Sequence, residues 1–192
     1  MLNNPIHQGV SGTGKSTLGV ALSKALHLPF IDGDDLHPQS NVAKMSRGEP
    51  LTDADRQPWL ETIRKAAVAH VMSQPGSVGG EARKPGIIIA CSSLKRAYRS
   101  VLRGETLPEE EPGNLRTYFV YMKGSREVLM DRMTQRQGHF MKVAMLDSQL
   151  NTLETPETEE GVVTVSIGWS TEDQVRHVVK ALRVETNVEG SV

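Results

Sequence analysis

Apolar residues recur along this chain in two alternating rhythms. Leu18, Ala21, Leu22, Ala25 and Leu26 fall at three- and four-residue intervals, which predicts an amphipathic helix from Lys15 to Leu26 with one buried stripe. LPFID, Leu28 to Asp32, reads as a short strand ending in acid. In the HPQSNVAKM that follows, Pro38 is a first-turn residue, and Gly48 is the stop. Between Thr52 and Gln74 the residues Trp59, Leu60, Ile63, Ala67, His70 and Val71 keep helical spacing, and Thr52 and Asp55 are placed as a capping box. GIIIAC, Gly86 to Cys91, is a continuous apolar run of strand length, the mark of a parallel strand covered on both faces. A helix in SLKRAYRSVLRG closed by Gly104, a strand in LRTYFVYM, helices in SREVLMDRMTQRQ and VAMLDSQLNTLE, and a strand in VVTVSI complete the alternation. A C-terminal helix capped by Ser170 and Asp173 follows.

Alternation of strand and helix predicts an α/β protein, a parallel sheet of about five strands wrapped by helices. The 192 residues suit a single domain over 1–192. SQPGSVGGEARKPG and RGETLPEEEPGNL interrupt the rhythm and read as surface loops. Lys and Arg number 22 against 23 Asp and Glu, a formal charge of -1, so no surface-wide grip on nucleic acid or on an acidic membrane is expected. One cysteine, Cys91, excludes an internal disulfide. With neither a signal-like start nor an apolar run of about 18 residues, the expectation is a soluble, cytoplasmic protein.

The candidate chemistry begins at GVSGTGKST, Gly9 to Thr17, which fits G-x-x-x-x-G-K-[ST] with Gly9, Gly14, Lys15 and Ser16 in the fixed places. In such a loop the backbone N–H groups of Gly9, Val10, Ser11, Gly12, Thr13 and Gly14 turn around phosphate oxygens at the positive end of the next helix. Lys15 supplies a charge to the β and γ phosphates and Ser16 a hydroxyl for Mg²⁺, and Thr17 is counted with them in the nucleotide site. The expected ligands are therefore ATP and Mg²⁺. The stretch before the loop does not suit it: in NNPIHQ only Ile6 is strongly apolar, and Pro5 cannot donate to a central ladder. This predicts a poorly anchored loop.

Asp32 and Asp34, with Asp35 and His37 close behind, stand at the C-terminal end of the second strand, which faces the same crevice as the loop. They share a face if strand geometry continues through Gly33; one carboxylate then serves Mg²⁺ and the other takes a proton from an attacking hydroxyl. An ordinary Asp/Gly turn is the competing reading. Arg132 and Arg136 lie four apart on one helix face and lead into GHFMK, which fits a mobile lid over about 132–143 that clamps phosphates. A solvated face paired with Glu127 or Asp131 fits the same spacing, and His139 is as readily structural. Cys91, Trp59 and Trp169 read as packing residues, and Lys95 and Arg99, four apart, as a solvated face near the crevice.

Together, GVSGTGKST, DGDDLHPQSN, KMSRGEPLTDADRQPW, CSSLKRAYR, RMTQRQGHF and TLETP, in this order, resemble the gluconokinases among the small P-loop kinases, relatives of shikimate and nucleoside monophosphate kinases. The likeness runs from Gly9 to about Leu182. It implies ATP-dependent phosphorylation of the terminal hydroxyl of D-gluconate. By the same likeness Asp34 is the base, Asp32 belongs to the Mg²⁺ shell, and Arg132 and Arg136 are lid residues. His37, Arg56, Lys95 and Arg99 become acceptor-site candidates, and a homodimer is compatible with the family. A sugar acid needs cations for its carboxylate and mixed donors and acceptors for its hydroxyls. The alternatives fit less well: CSSL stands where a shikimate kinase carries three glycines, and no guanine-reading NKxD appears.

Overall fold

The computed structural model describes residues 2–8, 10, 12–74, 85–106, 115–134 and 140–188, with side chains outside 2–8, 140–145 and 184–188. Five strands form one parallel sheet: β1 (Leu2–Gln8), β2 (Phe30–Asp32), β3 (Ile88–Ala90), β4 (Leu115–Lys123) and β5 (Val162–Ser166), in the order β2-β3-β1-β4-β5. The connecting helices are α1 (Lys15–Leu26), α2 (Gln39–Ser46), α3 (Asp53–Met72), α4 (Arg96–Arg103), α5 (Arg126–Thr134), α6 (Phe140–Thr152) and α7 (Thr171–Val188). This is the α/β architecture that the alternation predicts. Among the described residues no helix is long and apolar enough to cross a membrane.

Strands β2, β3, β4 and β5 turn apolar residues to both faces, and two cores form on either side of the sheet. Ile88, Tyr118, Val120, Met122 and Val165 pack with Leu18 and Leu22 of α1 and Val178 of α7. On the other face Ile87, Ile89, Leu115 and Phe119 pack with Trp59, Leu60 and Ile63 of α3 and Val101 and Leu102 of α4. Gly19 sets how closely α1 approaches the sheet, because a Cβ there would stand 2.3 Å from Phe30 Cε2. The local signals hold. Thr52 and Asp55 form a reciprocal capping box, Gly104 closes α4 at φ 83°, and the Ser170 hydroxyl caps α7 by accepting from the Asp173 N–H at 3.1 Å.

The polar stretch before the loop forms the strand in the middle of the sheet. β1 pairs with β4 along its whole length, from Leu2 with Leu115 to Gln8 with Tyr121, but with β3 only at Ile6 with Ile89 and His7 with Ala90. Pro5 therefore stands one residue before the first β3 pair, at a level where β1 is bonded on one side only, and its missing N–H costs no ladder bond toward β3. Pro5 still donates no ladder bond, as expected, and the register places it before the pairing with β3 begins.

By sequence, NNPIHQ offers only Ile6 as a strongly apolar residue. A large apolar side chain buried there contributes about 1.5–3 kcal/mol, against a typical domain stability of ~5–15 kcal/mol. Replacing Asn3, Asn4, His7 and Gln8 by strand-forming apolar residues should raise the urea midpoint, and saturating ATP·Mg should narrow the gap by binding only the folded chain. Paired unfolding curves check this; an unchanged or lower midpoint shows that the polar strand supports the loop adequately.

Candidate functional site

The phosphate loop leaves β1 and enters α1 at the C-terminal edge of the sheet. Gly12 and Gly14 adopt φ values of 83° and 94°, a left-handed conformation that glycine takes without steric cost. Gly14 caps α1 without a side-chain hydrogen bond, so the first N–H groups of the helix are left for an anion. The buried Thr13 hydroxyl and the Lys15 ammonium both donate to the Val10 carbonyl at 3.0 Å, which holds the lysine across the loop. Burial lowers the Lys15 ammonium, opposed by Asp34, Cys91 and Asp32 in that order, so this cation faces the carboxylates. Gly9 and Ser11 lie outside the described residues.

The carboxylates approach one another by a route different from the one expected. β2 stops at Asp32, and Gly33–Leu36 coil into a 3₁₀ turn, so strand alternation does not carry through Gly33. Asp32 caps that turn, with Oδ1 accepting the Asp34 N–H at 3.2 Å and Oδ2 the Ser16 hydroxyl at 2.6 Å. A Cβ on Gly33 would stand 2.6 Å from the Ala90 carbonyl oxygen, and the Gly33 carbonyl accepts the Trp59 indole N–H at 2.7 Å. Glycine is thus needed to seat the turn on the end of β3. Burial, reinforced by Asp32, raises the Asp34 carboxyl above its ordinary value, and Lys15 opposes that rise.

Beyond the turn, the His37 ring stacks on Trp59 with centroids 4.0 Å apart. Arg56 reaches the Leu51 carbonyl at 2.6 Å and lies 5.8 Å from the Tyr98 ring centroid. Lys95 lies 5.7 Å from that centroid and donates to both oxygens of Asp53, at 2.8 and 2.7 Å, while the Tyr98 hydroxyl also donates to Asp53. His37, Arg56 and Lys95 therefore line one cluster, with Asp53 and Tyr98, which sequence reasoning passed over. The neighbouring Asp55 is structural: it closes the capping box and pairs with Lys44 at 2.6 Å.

Arg99 does not belong to this cluster. It is completely buried, its guanidinium donating to Glu159 and to the carbonyls of Ser93, Leu94 and Glu154. Both the acceptor-site candidacy and the solvated-face reading of Arg99 are corrected. Its carboxylate partner is sixty positions away, and spacing on α4 carries no trace of it. The TLETP stretch gains its meaning here: the Glu154 N–H donates to the Leu94 carbonyl at 2.9 Å, and its carboxylate accepts the Arg96 N–H at 2.6 Å.

On the other side of the loop, Arg132 donates to the Ile167 carbonyl at 2.5 Å and to the Thr13 carbonyl at 3.5 Å. It lines a cavity of about 440 Å³ with Gly12, Gly14, Thr17, Trp169 and Gln174. Arg136 and His139 lie outside the described residues. Trp59 is buried as expected, but Trp169 is 45% exposed, edge-on to His177 at 5.3 Å, on the wall of this cavity. The packing reading of Trp169 is thus corrected. Its place three residues after the last strand was the available signal, since ligands gather at that edge of a parallel sheet. A cavity of about 820 Å³ between α1 and α7, floored by Ala21, Ala25, Val175 and Val179, is larger but contains neither the loop nor the carboxylates. Cys91 is buried, as read from the sequence, and burial pushes its thiol up.

The His37 environment fixes the sign of a pH effect. Burial, then Arg56, lowers its imidazole from 6.5 to about 4, so between those values the unfolded chain binds more protons than the folded one. Stability from this group is present above 6.5 and is lost as pH falls toward 4. His37→Gln should make the fall in urea midpoint between about pH 7 and about pH 5 shallower than in the parent chain; equal slopes would remove His37 as a source.

The family model described as shikimate kinase matches residues 11–164. A gluconokinase of Gluconobacter oxydans is 46% identical over 158 residues, 82% of this chain and 79% of that protein. The thermosensitive gluconokinase of Escherichia coli is 39% identical over 182 residues, 93% of this chain and 88% of its own length. The crystal structure of a gluconokinase from Sinorhizobium meliloti superposes with a TM-score of 0.79 at 38% identity, covering 99% of this chain and 98% of that one. A shikimate kinase from Aquifex aeolicus, at 15% identity and a TM-score of 0.53, shares the fold. With the phosphate loop, the carboxylate turn and the cationic cluster gathered at one sheet edge, the chain belongs to the gluconokinase family of shikimate-kinase-like P-loop kinases.

Proposed function

We infer that this chain transfers the γ-phosphoryl group of ATP to the terminal hydroxyl of D-gluconate, giving 6-phosphogluconate and ADP. The observation that carries the reading is the close placement of two unlike halves: a phosphate loop with Lys15 beside Asp34, and a cluster of His37, Arg56 and Lys95 beyond the same turn. The first half suits a nucleotide, and the second a hydroxylated anion.

Lys15 leaves the Val10 carbonyl for the β and γ phosphate oxygens, while the loop and the start of α1 donate N–H groups. Asp34 accepts the proton of the acceptor hydroxyl as its oxygen attacks the γ phosphorus and the bond to the bridging oxygen of ADP breaks. The raised carboxyl of Asp34 suits that task, because it brings the group's basicity closer to neutral pH. Ser16 and Asp32 present hard oxygens 2.6 Å apart, a fit for Mg²⁺, which takes one or two protein oxygens and completes its shell with phosphate and water. Held by these two residues, Mg²⁺ would supply positive charge against the phosphate chain. Arg132, already against the loop, adds positive charge beside the transferring group, and the family likeness gives Arg136 the same task. Trp169 offers an aromatic wall to the nucleotide base.

The test is ATP consumption with gluconate, shikimate and nucleoside monophosphates, with the product identified by mass. Gluconate should be turned over fastest, and Asp34→Asn should lower kcat roughly 100-fold or more with ATP affinity retained. Equal turnover of another acceptor overturns the substrate assignment, and near-normal kcat in Asp34→Asn overturns the base.

A further inference from the structure

Lys95, a candidate for the acceptor's carboxylate, is not left to search for its ligand. Its side chain carries four rotatable carbons, yet the ammonium is held on Asp53; Lys95 caps the start of α4, and Asp53 belongs to α3. Asp53 is the first residue of α3, where the helix dipole favours a carboxylate, and the Tyr98 hydroxyl fixes its Oδ1 from below. The Tyr98 ring is 4% exposed and serves as a floor, with Lys95 and Arg56 near its ring. The Asp53 side chain is 63% exposed and that of Lys95 29%, so the pair faces solvent at the site and not the core.

We propose that Asp53 is a positioning residue that aims the Lys95 ammonium at the carboxylate of the sugar acid, through the Asp53–Lys95 and Asp53–Tyr98 hydrogen bonds. An ammonium has three N–H donors, and a single carboxylate takes at most two, so one donor remains for an incoming anion. Rotamer freedom that a loose lysine would lose on binding is already lost in the free protein. Asp53 also sets the charge of the cluster. Lys95 and Arg56 contribute two positive charges and Asp53 offsets one of them, with the Glu154 carboxylate also near Lys95 and His37 neutral near pH 7.

This inference rests on gluconate being the acceptor, and a double-mutant cycle separates the two claims. Steady-state kinetics are measured for the full chain and for Asp53→Asn, Lys95→Met and the double variant, with gluconate and ATP varied in turn. Asp53→Asn should raise the gluconate KM about tenfold, with kcat and the ATP KM within about twofold, as expected for lost binding of the ground and transition states alike. In the Lys95→Met background the same change should move KM less than about twofold, because the group to be aimed is gone. Asp53→Ser, which keeps a residue suited to a helix start, should repeat the pattern and guard against a folding defect particular to Asn. The proposal is overturned if Asp53→Asn acts equally in both backgrounds, if it lowers KM, which would make Asp53 a competitor for Lys95, or if Lys95→Met leaves KM unchanged. A parent chain that ignores gluconate while phosphorylating another acceptor overturns the substrate assignment and this inference together.

Discussion

The contact between Gly33 and the end of β3 is the constraint on which the site depends. With no side chain at Gly33, the chain leaves β2 and coils against the Ala90 carbonyl, where a Cβ would stand 2.6 Å from oxygen. That close approach turns the Asp34 N–H back onto Asp32 and sends His37 toward Trp59. The Trp59 indole then bonds the Gly33 carbonyl, so the buried aromatic of α3 holds the turn from the opposite side. Asp32 accepts from Ser16 at the start of α1, and by this bond the nucleotide half and the acceptor half are fixed to each other.

Acidic residues in this crevice divide according to their partners. Asp34 is half-enclosed, and burial and then Asp32 raise its carboxyl while Lys15 opposes that rise. Asp55 is held well below the usual carboxylate range by Lys44 and Thr52 and therefore stays an ionised cap. Glu159 is lowered by Arg99 first and Arg103 after it, and its ion pairs are largely buried; removing one partner would strand a charge, so this cluster braces α4 against the segment after α6. The brace and the acceptor cluster share α4, with Arg99 turned inward and Lys95 outward.

The GEPLTDADRQPW stretch shows the same division within twelve residues. Gly48 takes φ 75° after α2, Thr52 and Asp55 start α3, and Trp59 fills the core beneath the carboxylate turn. Between these structural positions, Asp53 and Arg56 face the acceptor cluster.

The sequence by itself determined what rests on neighbours in the chain. The capping box at Thr52, the stop at Gly104, the helix from Lys15 to Leu26 and the glycines of the phosphate loop are legible because their partners lie within a few positions, where spacing alone sets geometry. Tertiary structure decided the rest. Residues 2–8 look unfit for a central strand until β4 pairs with all of them and β3 with only two. Lys95 and Arg99 have the same spacing and charge, but Glu159 draws one into the core while Asp53 keeps the other at the site. Trp169 reads as a packing residue until the end of β5 places it on the wall of the cavity beside the loop. For residues 2–8, Lys95 and Arg99 the deciding partner lies tens of residues away, and no local periodicity records which distant group packing will bring within hydrogen-bonding reach.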